Sequence, residues 1–376
     1  MKNLRQYLKI IYCRFPLIFL LGAIFYPFVA NLFFSNTALL DNRALKTKPQ
    51  KFTSHFSQDF TDYYNDTFAG REKLIVKYIK LQQKLQLDTG QYFYGQKGWM
   101  FYDSIKVNNG NTILDYLGNV FLENDELEKL KTALEKEKSF YEQNGAKYLL
   151  MVVPNKENVY AEYMPERLQK LRKSDFSLSD AGMKYLQDNT TIQVLNLKPI
   201  LLAAKKNYQY PLYYRKDTHW NSLGGYIGFE ALIKSFNEMG LGGKVQSLLP
   251  EMISEAGLVG QDMHPTDKDM SYQVAFLSEK AYTKTEVVAN RIIVYDNQNP
   301  LSNETILVVG DSFAGGFLPY LAKVYLRVVN IPAGVKDLSF YQDIMTEYKP
   351  NLVVHELAER YFSRLTNLGK LYEGKK

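Results

Sequence analysis

Cysteine is almost absent from this chain: Cys13 is the one such residue in 376. No disulfide can form within the chain, so the fold has to be held by packing, and a zinc-thiolate site built from its own cysteines is excluded. Histidine is scarce as well, at His55, His219, His264 and His355, which confines any imidazole base or metal ligand to four positions. No dense basic tract with interleaved aromatics occurs, and a net charge of +6 over this length is mild. Nucleic acid is therefore a poor candidate partner. No nucleotide-binding fingerprint and no internal repeat is found, so no cofactor is expected.

Hydrophobic residues make up 46% of the chain, ample for a sizeable core, and the length suits two domains or one with an appendage. The 29 Tyr, 22 Phe and 2 Trp would suit sugar-stacking surfaces, although aromatics more often fill cores. At the amino end, Lys2, Arg5, Lys9 and Arg14 precede the uncharged run Phe15 to Phe34. Twenty helical residues span about 30 Å, the thickness of a bilayer core, and proline, here Pro16 and Pro27, is tolerated there. Positive residues ahead of the run predict one membrane span with the amino end cytoplasmic and the remainder exported. Cleavage as a signal peptide is the alternative, but the run is long and no small-x-small site follows it.

The organisation expected is a cytoplasmic tip and anchor over 1–40, a helical stalk over 41–91, a catalytic domain over 92–365 and a polar tail over 366–376. Asp41 to Arg71 reads as polar and turn-rich, Glu72 to Leu87 as a helix, and Tyr92 to Tyr102 as a hairpin. Asn124 is placed to cap a helix carrying Leu127, Leu130 and Leu134 on one face, with Gly145 at its end. Lys147 to Val153 then reads as a buried strand stopped by Pro154. Helix and apolar strand recur: a strand at Ile192 to Leu197, a helix from Asn221 to Ile233, and strands at Thr305 to Val309, Arg327 to Ile331 and Leu352 to Val354. This alternation predicts an α/β domain with a mainly parallel sheet and ligands at the carboxyl ends of its strands. Gly240 to Pro300 looks like an irregular insertion of loops and small strands, and the Lys-rich tail after Phe362 looks frayed.

The stretch Thr305 to Tyr320, TILVVGDSFAGGFLPY, organises the rest. A buried strand ends at Gly310, and the small residues that follow permit a tight turn into a helix. Ser312 at such a turn exposes its hydroxyl at the strand's carboxyl end, where backbone N–H groups are available to an oxyanion. Taken alone, a Gly-Asp-Ser is more often a helix start capped by Asp311 or Ser312, and the rest of the chain changes that balance. The second half of the site is Lys216-Asp217-Thr218-His219-Trp220-Asn221. If Asp217 to His219 is extended, both side chains share a face, about 6–7 Å apart at Cβ. The carboxylate can then receive one imidazole N–H and leave the other nitrogen as a base. Asn221, as cap of the next helix, puts a positive helix end beside His219, which disfavours imidazolium, while Asp217 supports the charge that appears during reaction. Asp217, His219 and Ser312 thus form a candidate triad. Two other readings use the same residues: a metal held by Asp217, His219 and His264 or His355, and a purely structural Asp–His pair with Ser312 as a cap.

Lys-Asp-Thr-His-Trp-Asn ahead of a glycine-containing helix, with Val-Val-Gly-Asp-Ser-Phe later, resembles the SGNH-hydrolase-like O-acetyltransferases typified by the alginate acetylation proteins, a DHHW-like group. Asp41-Asn42-Arg43 with Pro49, Tyr64-Asn65-Asp66 with Phe68, Gly70-Arg71-Glu72, Gly98 to Tyr102 and Glu359-Arg360-Tyr361 agree, so the resemblance runs from about Asp41 to Tyr361. It implies a permuted SGNH-type α/β/α domain with Ser312, His219 and Asp217 as catalytic residues. Common SGNH hydrolases have their serine near the amino end and an Asp-x-x-His near the carboxyl end. Here the order is reversed, the spacing is Asp-x-His, and the oxyanion donors fall to backbone N–H groups around Ser312.

The resulting expectation is a membrane-tethered, extracytoplasmic O-acetyltransferase acting on a cell-envelope or secreted polysaccharide. The resemblance implies a membrane-bound O-acyltransferase partner that supplies acetyl groups. An acetylesterase shares the chemistry up to the acyl-enzyme, and a noncatalytic assembly subunit retaining the fold is the rival from another class.

Overall fold

The computed structural model describes residues 45–85, 91–240 and 291–372, apart from 105, 107, 108, 209, 335 and 336, with the backbone of three strands between 252 and 287 and parts of 14–33. The chain divides into two compact units, Met1–Leu87 with His264–Thr266, and the remainder. In the first unit the described parts of Phe15 to Phe34 are helical with exposed apolar side chains, and much of that run lies outside the described residues. Among the described residues no helix is long and apolar enough to cross a membrane. Cys13 and His264 also lie outside them.

The stretch read as turn-rich before Arg71 contains helix α1, Phe56–Thr67. Phe52, Phe56, Phe60, Tyr64 and Phe68 recur every fourth residue, and their rings contact one another in series at 4.2 to 6.4 Å. That spacing places them on one helical face, and this outweighs the polar composition of the segment. Helix α2, Arg71–Leu85, follows as expected.

The second unit opens on the hairpin β1, Tyr92–Tyr94, and β2, Met100–Tyr102, turned through Lys97 and Gly98, both at positive φ. Helix α3, Asn124–Gln143, starts one residue earlier than a cap at Asn124 requires: Glu123 takes the cap position, its N–H donating to Glu126 at 2.9 Å. Gly145, at φ 86°, lets the chain turn into β3, Lys147–Val153. Helix α4 is Leu178–Asn189, β4 Gln193–Asn196, α5 Leu197–Asn207 and α6 Ser222–Glu238. Strands β5, Met252–Val259, and β6, Lys268–Ala275, pair with each other. Then come β7, Tyr282–Val287; β8, Ile292–Asn297; β9, Ser302–Gly310; helix α7, Leu318–Val324; β10, Tyr325–Pro332; α8, Leu338–Tyr348; and β11, Leu352–Ala358.

Seven strands form the main sheet in the order β4-β3-β11-β9-β10-β8-β7. The first five run parallel, while β8 pairs antiparallel with β10 and β7 antiparallel with β8. The sheet is therefore mixed, and the last part of the stretch read as an irregular insertion supplies its edge. Both faces of the central strands are covered. Leu149, Met151, Ile306 and Val308 pack on the side of α6 and α7, whereas Leu150, Val152, Leu307 and Val309 pack on the side of α3, α4 and α8. Each such apolar side chain, buried, stabilises the fold by about 1.5–3 kcal/mol. The central sheet is accordingly packed on both faces, and the site sits on its carboxyl edge. The segment after β11 is not frayed: Glu359–Tyr372 is a run of tight helical turns, its Phe362 and Leu365 buried, and Gly369 approaches Ala133 of α3.

Candidate active site

Strand β9 ends at Gly310, and the chain enters a 3₁₀ turn over Ser312–Gly316 before α7 begins. Asp311, not Ser312, is the cap: its Oδ1 accepts the Phe313 N–H at 2.8 Å, and its Oδ2 accepts the Ala358 N–H at 2.8 Å, tying the turn to the end of β11. With capping assigned to Asp311, the Ser312 side chain is free to point into solvent-exposed space. Its Oγ lies 2.7 Å from Nε2 of His219.

His219 is held from the other side. Its Nδ1 is 2.7 Å from Oδ1 of Asp217, and the same oxygen accepts the His219 backbone N–H at 2.8 Å. The segment is thus a bent loop and not the extended dipeptide read from sequence. An antiparallel bridge between Tyr213 and Trp220 closes it, with Tyr214 N–H donating to His219 O at 3.1 Å. The Asp217 carboxylate folds back over two residues, as short polar side chains do in such turns, and this brings it to the imidazole. Asn221 caps α6 as expected, accepting the N–H groups of Leu223 and Gly224 at 3.1 Å. Burial alone would raise the Asp217 carboxyl, but its hydrogen bonds from His219 and the nearby Lys156 ammonium prevail and hold it below the ordinary value of 3.8.

Three expected site residues, Ser312, His219 and Asp217, therefore meet in one hydrogen-bonded line. His355, considered as a metal ligand, is elsewhere engaged: it is buried in β11 with Nδ1 2.9 Å from Glu137 Oε2. Among the described residues no group of three or more His, Cys, Asp or Glu is arranged to hold a metal ion.

Several residues that sequence reasoning passed over assemble the two halves. Trp220 donates from Nε1 to Phe313 O at 2.9 Å, bridging the histidine loop and the serine turn. The approach is close enough to demand glycine. A Cβ on Gly316 would lie 2.2 Å from Trp220 Nε1, and one on Gly225 would lie 2.1 Å from Gly316 O. The pairing of small residues in both segments was the available signal. An open cleft of about 460 Å³ runs from Ser312 past Asn330 and Pro332 to Arg291.

Behind the turn, Glu356 of β11 is fully buried, and its Oε2 accepts the Asp311 N–H at 3.1 Å. Burial, with the Asp311 charge nearby, pushes its carboxyl well above the ordinary 4.5. The folded state therefore binds this proton more tightly than the unfolded state. Its contribution is complete below 4.5 and lost as pH rises toward the folded value. Glu356→Gln, which keeps an oxygen for the Asp311 N–H, is expected to flatten the fall in stability that sets in as pH rises above 4.5. Urea midpoints measured across that rise check it, and an unchanged slope would contradict the expectation.

Comparison with known proteins gives a consistent picture. A family model described as the SGNH hydrolase-like domain of the acetyltransferase AlgX matches residues 93–359. A comparison with curated protein sequences finds no significant match. Among solved structures, Bacillus cereus PatB1 with a sulfonyl adduct aligns with a TM-score of 0.52 at 15% identity, covering 75% of this chain and 99% of that one. A DHHW family protein from Eubacterium siraeum aligns at 0.50 and 15% identity, covering 75% and 96%. The O-acetyltransferase domain of Pseudomonas putida AlgJ gives 0.47 and 16%, covering 76% and 100%. PatB1 and the DHHW family protein share the fold, and, with well over half of its length matched by the family model, this chain belongs to the SGNH hydrolase-like acetyltransferases of the AlgX type.

Proposed function

We propose that the protein transfers acetyl groups, through an acetyl-Ser312, to hydroxyls of a cell-envelope or secreted polysaccharide. The observation that carries this reading is the Ser312–His219–Asp217 line, with 2.7 Å at each side-chain contact, in a chain of acetyltransferase family. His219 Nε2 takes the Ser312 proton as Oγ attacks the acetyl carbonyl. Asp217 supports the imidazolium so formed, and His219 returns the proton to the leaving group. Ser312 N–H, which has no acceptor among the described residues, is the first donor available to the oxyanion. A sugar hydroxyl then gives its proton to the same nitrogen and attacks the acetyl-serine, after which Ser312 regains its proton.

The cationic amino end and the uncharged run Phe15 to Phe34 support a single membrane span with the second unit outside the cytoplasm. In that location acetyl-CoA is out of reach, so a membrane-bound O-acyltransferase is the partner that would supply acetyl groups, as the family implies. A second reading, an acetylesterase, draws on the exposure of Ser312 at an open cleft that admits water. Incubation with an activated acetyl ester and a panel of oligosaccharides separates them. The transferase predicts that an acceptor speeds decay of the acetyl-enzyme and carries the acetyl group away. Acetate released at a rate no acceptor changes, with no acetylated sugar, would decide for the esterase.

A further inference from the structure

The loop that carries Asp217 and His219 has few regular hydrogen bonds of its own, and a lysine from another part of the fold gathers its carbonyls. Lys156 stands in the first turn after β3 and Pro154, and only 2% of it is exposed. Its Nζ donates to Asp217 O at 2.6 Å, Arg215 O at 3.1 Å and Tyr214 O at 3.2 Å. An ammonium has three protons, and this geometry directs all of them at one bend of backbone.

The side chain reaches that point through an aromatic wall. Nζ lies 5.8 Å from the ring centre of Trp99 and 5.3 Å from that of Phe101. Trp99 is stacked in turn on Tyr160 at 4.3 Å and Tyr163 at 5.0 Å. The hairpin also grips the same bend directly, Met100 N–H donating to Arg215 O at 2.9 Å. From beneath, the Tyr213 hydroxyl donates to Pro154 O at 2.6 Å. The base of the lysine is fixed as well, because Asn155 N–H donates to Glu359 at 2.8 Å. The hairpin and the Pro154-Asn155-Lys156 turn, which the transfer chemistry does not use, thus converge on the backbone two to five residues ahead of the imidazole.

We propose that Lys156 is a positioning residue: by gathering the carbonyls of Tyr214, Arg215 and Asp217 it holds the Asp217–His219 pair within reach of Ser312. This rests on the acetyl-transfer reading above. Lys156 touches no reacting atom. Its loss lets the bend relax toward water, and misplacing a catalytic group by about 1 Å lowers a rate roughly 10²-fold.

The test uses the full-length chain, an activated acetyl ester and a sulfonyl fluoride, with modification of Ser312 followed by intact mass and peptide mapping. Lys156→Met keeps the length and the apolar stem. At saturating ester its acylation rate constant is expected to fall about 100-fold, with KM for the ester within about threefold of the parent. Lys184→Met, on the exposed face of α4, is expected to match the parent. Lys156→Gln, which retains one donor group, is expected to fall between the parent and Lys156→Met, and serves if Lys156→Met does not fold. The readout that separates positioning from mere stability is rescue. In Lys156→Ala, added n-propylammonium should restore acylation saturably, by about tenfold or more, whereas 1-propanol should not. The proposal is overturned if Lys156→Met or Lys156→Gln acylates within threefold of the parent, or if the loss tracks only the unfolded fraction. It is overturned equally if the alcohol rescues as well as the amine. A folded parent protein whose Ser312 takes neither reagent would instead defeat the transfer reading itself.

Discussion

Replacing Ser312 by Ala is expected to abolish the acetyl-enzyme and to lower acetyl transfer by at least about 10⁴-fold. The serine hydroxyl is the only side-chain group in hydrogen-bond contact with His219 Nε2 among the described residues, at 2.7 Å. Among the described residues no other side-chain nucleophile contacts this nitrogen to substitute for it. His219→Ala should cost about as much, because a serine hydroxyl without a base is a poor nucleophile at neutral pH. Combining the two should cost scarcely more than either alone, since the proton relay works as a unit and is already lost in each single variant. Ser312 is exposed, so its variant should melt like the parent. The His219 ring lies 4.7 Å from that of buried Phe313, so a modest drop in melting temperature is expected there. Intact mass after incubation with an activated acetyl ester reads the adduct, and calorimetry reads the fold. Losses that multiply in the double variant would show that Ser312 and His219 act independently, which a nucleophile–base pair cannot do.

What could be read in advance, and what could not, follows from where each signal is written. Strands covered on both faces leave uninterrupted apolar runs, as in Leu149 to Val153 and Ile306 to Val309, so the parallel core was visible. Edge strand β7, reading Tyr-Thr-Lys-Thr-Glu-Val, has no such run, and its place beyond β8 depends on pairing that no local pattern encodes. Helix α1 was obscured by composition, although its aromatic ladder at every fourth residue was there to be found. That Ser312, His219 and Asp217 meet in one hydrogen-bonded line could be anticipated, because all three side chains stand beside turn-forming residues. The bend that joins Asp217 to His219 was missed because it is made by backbone, closed by the Tyr213–Trp220 bridge and the Lys156 contacts. A lysine is ordinarily assigned to solvent. One whose partners are carbonyls leaves no trace in the identity of those partners.

That backbone bend decides the second large effect, at Asp217. Oδ1 accepts both the His219 N–H and the imidazole Nδ1–H, at 2.8 and 2.7 Å. In Asp217→Asn the amide oxygen can occupy this position, because the backbone N–H selects an acceptor there and rejects the amide nitrogen. The tautomer should therefore survive, and the loss should be that of the negative charge. A charge opposite the imidazolium at roughly 5 Å, in an effective dielectric near 20, is worth about 3 kcal/mol, or roughly 10²- to 10³-fold in rate. Asp217→Ala removes charge, acceptor and turn together and should cost about 10⁴-fold. Acid does not reproduce either variant at mild pH. The carboxyl is held below 3.8, so its contribution to stability is complete above that value and lost only as pH falls through the lower folded value. Single-turnover acylation of the three proteins at neutral pH provides the measurement, with Asp217→Asn expected to be faster than Asp217→Ala by about tenfold or more. Equal rates for the two variants would mean that the backbone N–H does not orient the amide, and that the carboxylate sets the tautomer through its charge alone.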